Sequence, residues 1–136
     1  MEGVSNIGRT GPSTENSNPR TDPKLCCTCG SPDCDKRSVD QITLDSVQLV
    51  REDYGRPISI TSGGRCSNHP DERRKAKPGD HQKRKAVDAE YETVLERNKL
   101  MVLAGRHGAT RVAFGKNFVH MAWTKTDDKS VPTWEY

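Results

Sequence analysis

Three residues far apart in the chain carry side chains that can share one divalent metal. His81 and Asp88 lie in the basic stretch GDHQKRKAVD with six residues between them, and His120 follows much later in FVHMAW. Two imidazoles and one carboxylate leave a fourth position open. That is the donor set of a catalytic zinc site, where the ion acidifies water and polarises a carbonyl. A single strand histidine is more often packed or solvated than ligating. Asp88 is harder to set aside, because burying a carboxylate without a partner costs on the order of several kcal/mol. Lys85 and Arg111 are the ordinary cations that could satisfy it, and a metal is the other.

The elements that must position these residues follow from periodicity. In VDQITLDSVQLVREDYG, Leu44, Val47, Val50 and Tyr54 fall at helical spacing, Ser38 and Asp40 offer N-cap oxygens, and Gly55 closes the segment. Pro57 forces an extended path into the β-branched run ISIT, and SGGRC is a tight turn. After the basic stretch, KAVDAEY reads as a short buried strand. A second helix is expected from about Glu92 to Ala104 with Val94, Leu95 and Val102 inward, ended by GRHG. TRVAF and FVHMAW, joined by a GKN turn, finish the domain as strands. The order helix, strand, loop, strand, helix, strand, strand predicts an α+β fold, a small and largely antiparallel sheet with helices on one side.

Alternation with period two places Val119, Met121 and Trp123 on one face of FVHMAW, and Phe118, His120 and Ala122 on the other. The same rule separates Val87 from Ala86 and Asp88. With the apolar set in the core, Asp88 and His120 can share the opposite, potentially open face. His81 completes the set if its loop folds back over the strand.

A second cluster of chemistry lies near the start of the chain. CCTCGSPDC supplies Cys26, Cys27, Cys29 and Cys34, and Cys66 stands far away in SGGRC. An odd number of cysteines without a secretory signal argues against a secreted disulfide framework. Cys26, Cys29, Cys34 and Cys66 could form a closed structural zinc site. Reduced thiols pinning the start of the domain and a disulfide stay open beside it, because the spacing is not the two-pair CxxC arrangement of a zinc ribbon.

Composition bounds the rest. Hydrophobic residues make up 31% and charged residues 30% of the 136, so the core is small and concentrated in one part of the chain. Residues 1–24, rich in Gly, Pro, Ser, Asn and Thr, read as a flexible polar arm, leaving 25–136 as the domain. No apolar span approaches the ~20 residues of a membrane helix, and no apolar stretch of a signal peptide is present. The net charge of +3 is too small to name a partner. Residues 71–85 carry seven Lys or Arg against three acids, which suits an exposed loop, a nucleic-acid grip or contact with an anionic wall polymer. Aromatics are only 5% and none interleaves with that run, which argues against nucleic acid.

The motifs ITSGGRCSNHP, GDHQKRKAVD and FVHMAW with a closing WEY, spread over residues 26–136, resemble the M15 family of zinc D-Ala-D-Ala carboxypeptidases and peptidoglycan endopeptidases. Members carry an SGxR turn, an SxHxxGxAxD motif and a late strand histidine. By that likeness His81, Asp88 and His120 bind Zn2+, and Arg65 holds the substrate carboxylate with its two-pronged guanidinium. Three departures stand out. Gly79 replaces Ser, Arg84 replaces a glycine that serves a backbone angle arginine resists, and Ala122 replaces an acid two positions after the third ligand. The family's base, often an acid or histidine shortly before the last ligand, has no counterpart in AFGKN; His107 and Asp80 are the remaining candidates.

The resemblance implies hydrolysis of peptidoglycan stem peptides, with a metal-bearing but non-catalytic structural or wall-binding part as the alternative. It also implies a bacteriophage setting. The protein would be a virion component, with the arm reaching other virion proteins, or a lysis enzyme held in the host cytoplasm until release.

Overall fold

The computed structural model describes residues 11–18, 22–75 and 79–124. The described part of the polar arm is docked rather than free. The Asn16 N–H donates to Gln48 Oε1 at 3.1 Å, Gln48 Nε2 donates back to Asn16 Oδ1 at 2.7 Å, and Gln41 Nε2 donates to the Ser13 carbonyl at 3.2 Å. Residues 1–10 and 19–21 of the arm lie outside the described residues, as does the closing WEY.

Pro23–Leu25 form a single 3₁₀ turn that buries Leu25 completely. Helix α1, Gln41–Tyr54, begins where Asp40 accepts the Thr43 N–H at 2.9 Å and ends where Gly55 takes the left-handed φ of +74°. Its buried residues include Leu44, Val47, Val50 and Tyr54, the stripe its spacing predicts. Strand β1, Ile60–Ser62, leads through the SGGRC turn into a short helix α2, Pro70–Arg73, inside the stretch expected to be a charged loop. Strand β2 is Ala86–Glu90, α3 is Val94–Arg106, β3 is Arg111–Phe114 and β4 is Phe118–Ala122. The strands form one antiparallel sheet in the order β1-β2-β4-β3.

The fold class is therefore α+β as expected, with the sheet wholly antiparallel among the described residues. Leu25, Leu44, Val47, Val50, Leu100, Leu103, Val87, Val119 and Met121 meet in one core between α1, α3 and the inner sheet face. Fully burying each large apolar side chain stabilises the fold by about 1.5–3 kcal/mol.

Helix α3 corrects the predicted inward face. Val94, Leu95 and Val102 are exposed at 60%, 70% and 62%, while Leu100, Leu103 and Ala104 are buried. Each set obeys helical spacing, so periodicity alone could not choose between them. The choice was made by α1 and the sheet, which leave room for Leu100 and Leu103.

Two positions show local energetics at work. Asp40 also receives Lys85 Nζ at 2.5 Å, and although burial would raise its carboxyl, bonds from Lys85 and Thr43 hold it below the ordinary carboxylate value. A depressed carboxyl contributes stability above its unfolded value of about 3.9 and loses it as pH falls through the folded value. Arg84 takes a left-handed φ of +69°, the glycine-like angle suspected from the sequence, and is anchored by donating Nε to the Ser38 carbonyl at 2.7 Å.

Asp40→Asn is expected to destabilise the protein by roughly 0.5–1 kcal/mol at pH 7. Because the wild-type carboxyl is lost in acid, urea titrations at pH 3 should show a smaller gap; a gap that widens toward acid would contradict this. Arg84→Gly and Arg84→Ala lose the same anchor, but only glycine relaxes the backbone. Denaturant midpoints should leave the Gly variant about 1 kcal/mol more stable than the Ala variant.

Candidate metal centre

The β2–β4 register sets Asp88 directly opposite His120 on the sheet face away from the helices. His81 reaches the same face from a turn between Gly79 and Lys85. There the Lys83 N–H donates to Gly79 O, the Arg84 N–H to His81 O and the Lys85 N–H to Asp80 O, all at 3.0–3.1 Å. Arg84 supplies the reversed backbone angle of this turn. The SGGRC turn closes over it, with the Arg65 N–H donating to His81 O at 3.2 Å. That face is covered, contrary to the expectation of an open one: His81, Asp88 and His120 are 3%, 6% and 2% exposed.

One ligand atom from each residue lies within 4.8 Å of the others. His81 Nε2 sits 3.1 Å and His120 Nδ1 3.0 Å from the same Asp88 oxygen, Oδ1. The opposite ring nitrogens are also held. His81 Nδ1 lies 2.7 Å from the Gly63 carbonyl, and His120 Nε2 lies 3.1 Å from Asp80 Oδ2. Both outer partners are acceptors and so is Asp88, so all four ring nitrogens face acceptors, and a neutral ring that keeps its proton outward turns its lone pair toward Asp88. In that tautomer two lone pairs and a carboxylate oxygen face one another, an arrangement that a metal ion satisfies and that added ring protons satisfy in its absence. This donor set fits a divalent metal, and the outer acceptors fix the tautomers as they do around metal-binding histidines.

The electrostatics express the same demand with protons. Burial would raise the Asp88 carboxyl, yet bonds from His120 and His81 outweigh it and hold the group well below the usual carboxylate range. Burial would lower His120, yet Asp80 and Asp88 push it upward, toward the charged form. Asp80 is held down in turn by His120 and Arg111 against the effect of burial.

The ordinary cations suspected for Asp88 are engaged elsewhere. Lys85 pairs with Asp40, and Arg111 Nη1 meets Asp80 Oδ1 at 3.1 Å. Arg65 stands at the site instead, with Nη2 3.6 Å from Asp88 Oδ2 and Nη1 3.5 Å from Glu72 Oε2. Both distances exceed those of a good charge-assisted bond, and Arg65 Nε is buried without a partner among the described residues. Its guanidinium keeps donor capacity for an anion. Glu72, with a fully buried side chain, also accepts Lys75 Nζ at 3.0 Å and the Gly79 N–H at 3.3 Å. The sequence reading passed over it as one acid in a basic run.

Asp80 resolves one departure. Ala122 lies opposite Arg111 and on the same face as His120, so an acid there would stand between them. Asp80 bridges those two residues from the neighbouring loop, so a carboxylate meets His120 without an acid at position 122. It stands behind the His120 ring, with Oδ2 beside Nε2 on the side away from Asp88.

His107 is not brought to the cluster. It caps α3 and its Nε2 meets Asp53 Oδ2 of α1 at 2.6 Å, while its carbonyl accepts Trp123 Nε1–H on the helical side of the sheet. The thiolate cluster needs one correction: the converging sulfurs belong to Cys27, Cys29, Cys34 and Cys66, with Cys26 outside the group. Cys26 is extended and bridges Ser38, and successive residues of an extended chain point to opposite sides. Burial pushes the Cys27 thiol up to about 12, whereas a backbone bond from Ser31 leads in drawing Cys29 down.

No helix among the described residues is long and apolar enough to cross a membrane. No curated protein matches the chain. A model of the Peptidase M15 family matches residues 20–122, which takes in α1, the SGGRC turn, His81, Asp88 and His120. The chain belongs to the Peptidase M15 family.

Proposed function

We propose that the chain is a zinc-dependent peptidase that hydrolyses peptide bonds in the stem peptides of peptidoglycan. The convergence of His81 Nε2 and His120 Nδ1 on one Asp88 oxygen carries this reading. Family membership supports peptidase chemistry, and the likeness to wall-cutting members supports the substrate class. A bacteriophage setting, in a virion or at lysis, rests on that likeness alone.

His81, Asp88 and His120 would hold the ion. When bound, zinc supplies Lewis acidity to the scissile carbonyl and makes water easier to deprotonate. Arg65 binds the free carboxylate of the peptide through its unsaturated guanidinium and so fixes which bond approaches the site. Glu72 holds Arg65 in place. Asp80 keeps the Nε2 proton of His120 outward and its Nδ1 available.

Two observations favour a second reading, a metal-bearing domain without turnover. The three ligand residues are almost completely buried, and AFGKN offers no acid ahead of His120.

Metal analysis of the purified protein, coupled to amino-acid or peptide release from peptidoglycan, separates the two. His120→Ala is expected to lose one zinc per chain and all hydrolysis, and Asp80→Asn to bind zinc roughly 10–100-fold more weakly. Zinc without wild-type release supports the second reading, and metal content indifferent to His120→Ala rejects both. If Arg65 reads a carboxylate, its bonds are worth about 1.5–3 kcal/mol, so Arg65→Ala should raise KM about tenfold or more for peptides with a free C-terminus. Amidated peptides should show little change; an equal effect on both would remove Arg65 from recognition.

A further inference from the structure

The cysteine cluster takes no part in the chemistry above, yet four sulfurs from two remote segments converge there. Cys27, Cys29 and Cys34 come from the loop before α1, and Cys66 ends the SGGRC turn. All four sulfurs lie within 4.8 Å of one another. Cys66 Sγ is 3.6 Å from both Cys27 Sγ and Cys29 Sγ. With Zn–S bonds of about 2.3 Å, the edge of a tetrahedron of sulfurs is about 3.8 Å. A disulfide would need about 2.05 Å, and all five cysteines are free thiols.

The loop is also shaped for inward-facing sulfur. Gly30 and Lys36 take left-handed φ values of +77° and +53°, reversing the chain between Cys29 and Cys34 and again just after it. The Lys36 N–H donates to Cys34 Sγ at 3.3 Å, a contact that favours thiolate. The Cys27 N–H donates to Arg37 O at 3.0 Å and Cys26 bridges Ser38, closing the base of the loop. Arg37, which leads out of the loop, is paired with Asp35 at 2.6 Å and donates Nη1 to the Gln82 carbonyl at 2.9 Å.

We propose that Cys27, Cys29, Cys34 and Cys66 form a second, structural zinc site that clamps the 27–34 loop onto the SGGRC turn. Four thiolates fill the tetrahedron, leaving no position for water or substrate, so the ion is structural rather than catalytic. Binding displaces the four thiol protons to solvent as four Zn–S bonds form. Soft sulfur donors select zinc over the hard divalent cations.

The clamp acts on the metal centre through the backbone. Cys66 follows Arg65, Gly63 O holds His81 Nδ1, and the Gly64 N–H donates to Leu25 O at 3.0 Å. A Cβ on Gly64 would lie 2.1 Å from Arg37 O, so the loop and the turn are already pressed together at backbone distance.

Zinc counting on the full chain tests this independently of the peptidase reading. The wild type is expected to carry about two zinc ions per chain, Cys66→Ser and His120→Ala about one each, and the double variant none. Cys26→Ser should keep both. If Cys66→Ser fails to fold, two wild-type measurements decide. Cobalt replacement should give an intense thiolate-to-metal charge-transfer band in the near ultraviolet, and titration with a mercurial should release one equivalent of zinc. Zinc content unchanged by Cys66→Ser, cobalt protein without that band, or iron in place of zinc would overturn the proposal. A single ion lost with His120→Ala alone would also overturn it while sparing the peptidase centre; a single ion lost with Cys66→Ser alone would do the reverse.

Discussion

Two imidazole nitrogens converging on one carboxylate oxygen form the constraint on which the rest of the site depends. Each histidine is held from behind, His81 by the Gly63 carbonyl and His120 by the Asp80 carboxylate, so each ring lies between two acceptors. The result is a buried concentration of electron density that needs a positive charge at its centre. Without a metal, protonation answers that need in part, which is why His120 is pushed toward its charged form. A divalent ion answers it fully and uses all three donors at once.

The surrounding architecture keeps that arrangement rigid. The antiparallel β2–β4 ladder fixes Asp88 and His120, two of the three candidate ligands, opposite one another, and the core beneath them sets the sheet against α1 and α3. The third ligand depends on a turn whose critical angle is taken by Arg84 and whose far side is closed by SGGRC. Gly63 and Gly64 matter here for space: a Cβ on either would meet backbone atoms of the Lys24–Leu25 or Arg37–Ser38 segments at 2.1–3.1 Å. The same turn carries Arg65 and Cys66, so the Arg65 guanidinium, the carbonyl that holds His81 and the cysteine cluster all meet on one short piece of chain.

Motif departures also have a three-dimensional reading. Position 122 is an alanine, and Asp80 brings a carboxylate from a different element to bridge Arg111 and His120. The glycine missing at Arg84 is replaced by a residue that keeps the left-handed angle and takes an anchor on Ser38 O. In both cases the position changed while the physical requirement stayed in the structure.

The sequence by itself determined the main elements and brought out His81, Asp88 and His120 as candidate ligands. Asp40, Gly55 and the Leu44–Tyr54 stripe define α1, and period-two alternation puts Asp88 and His120 on one face, because caps and alternation are local rules. It could not choose the buried side of α3, where Val94, Leu95 and Val102 compete with Leu100, Leu103 and Ala104 at the same spacing. Nor could it choose between Cys26 and Cys27, see Glu72 as the buried partner of Arg65, or separate Asp80 from His107. Those choices belong to tertiary structure, since each depends on which distant surface arrives opposite the residue, and burial and charge pairing are decided there rather than along the chain.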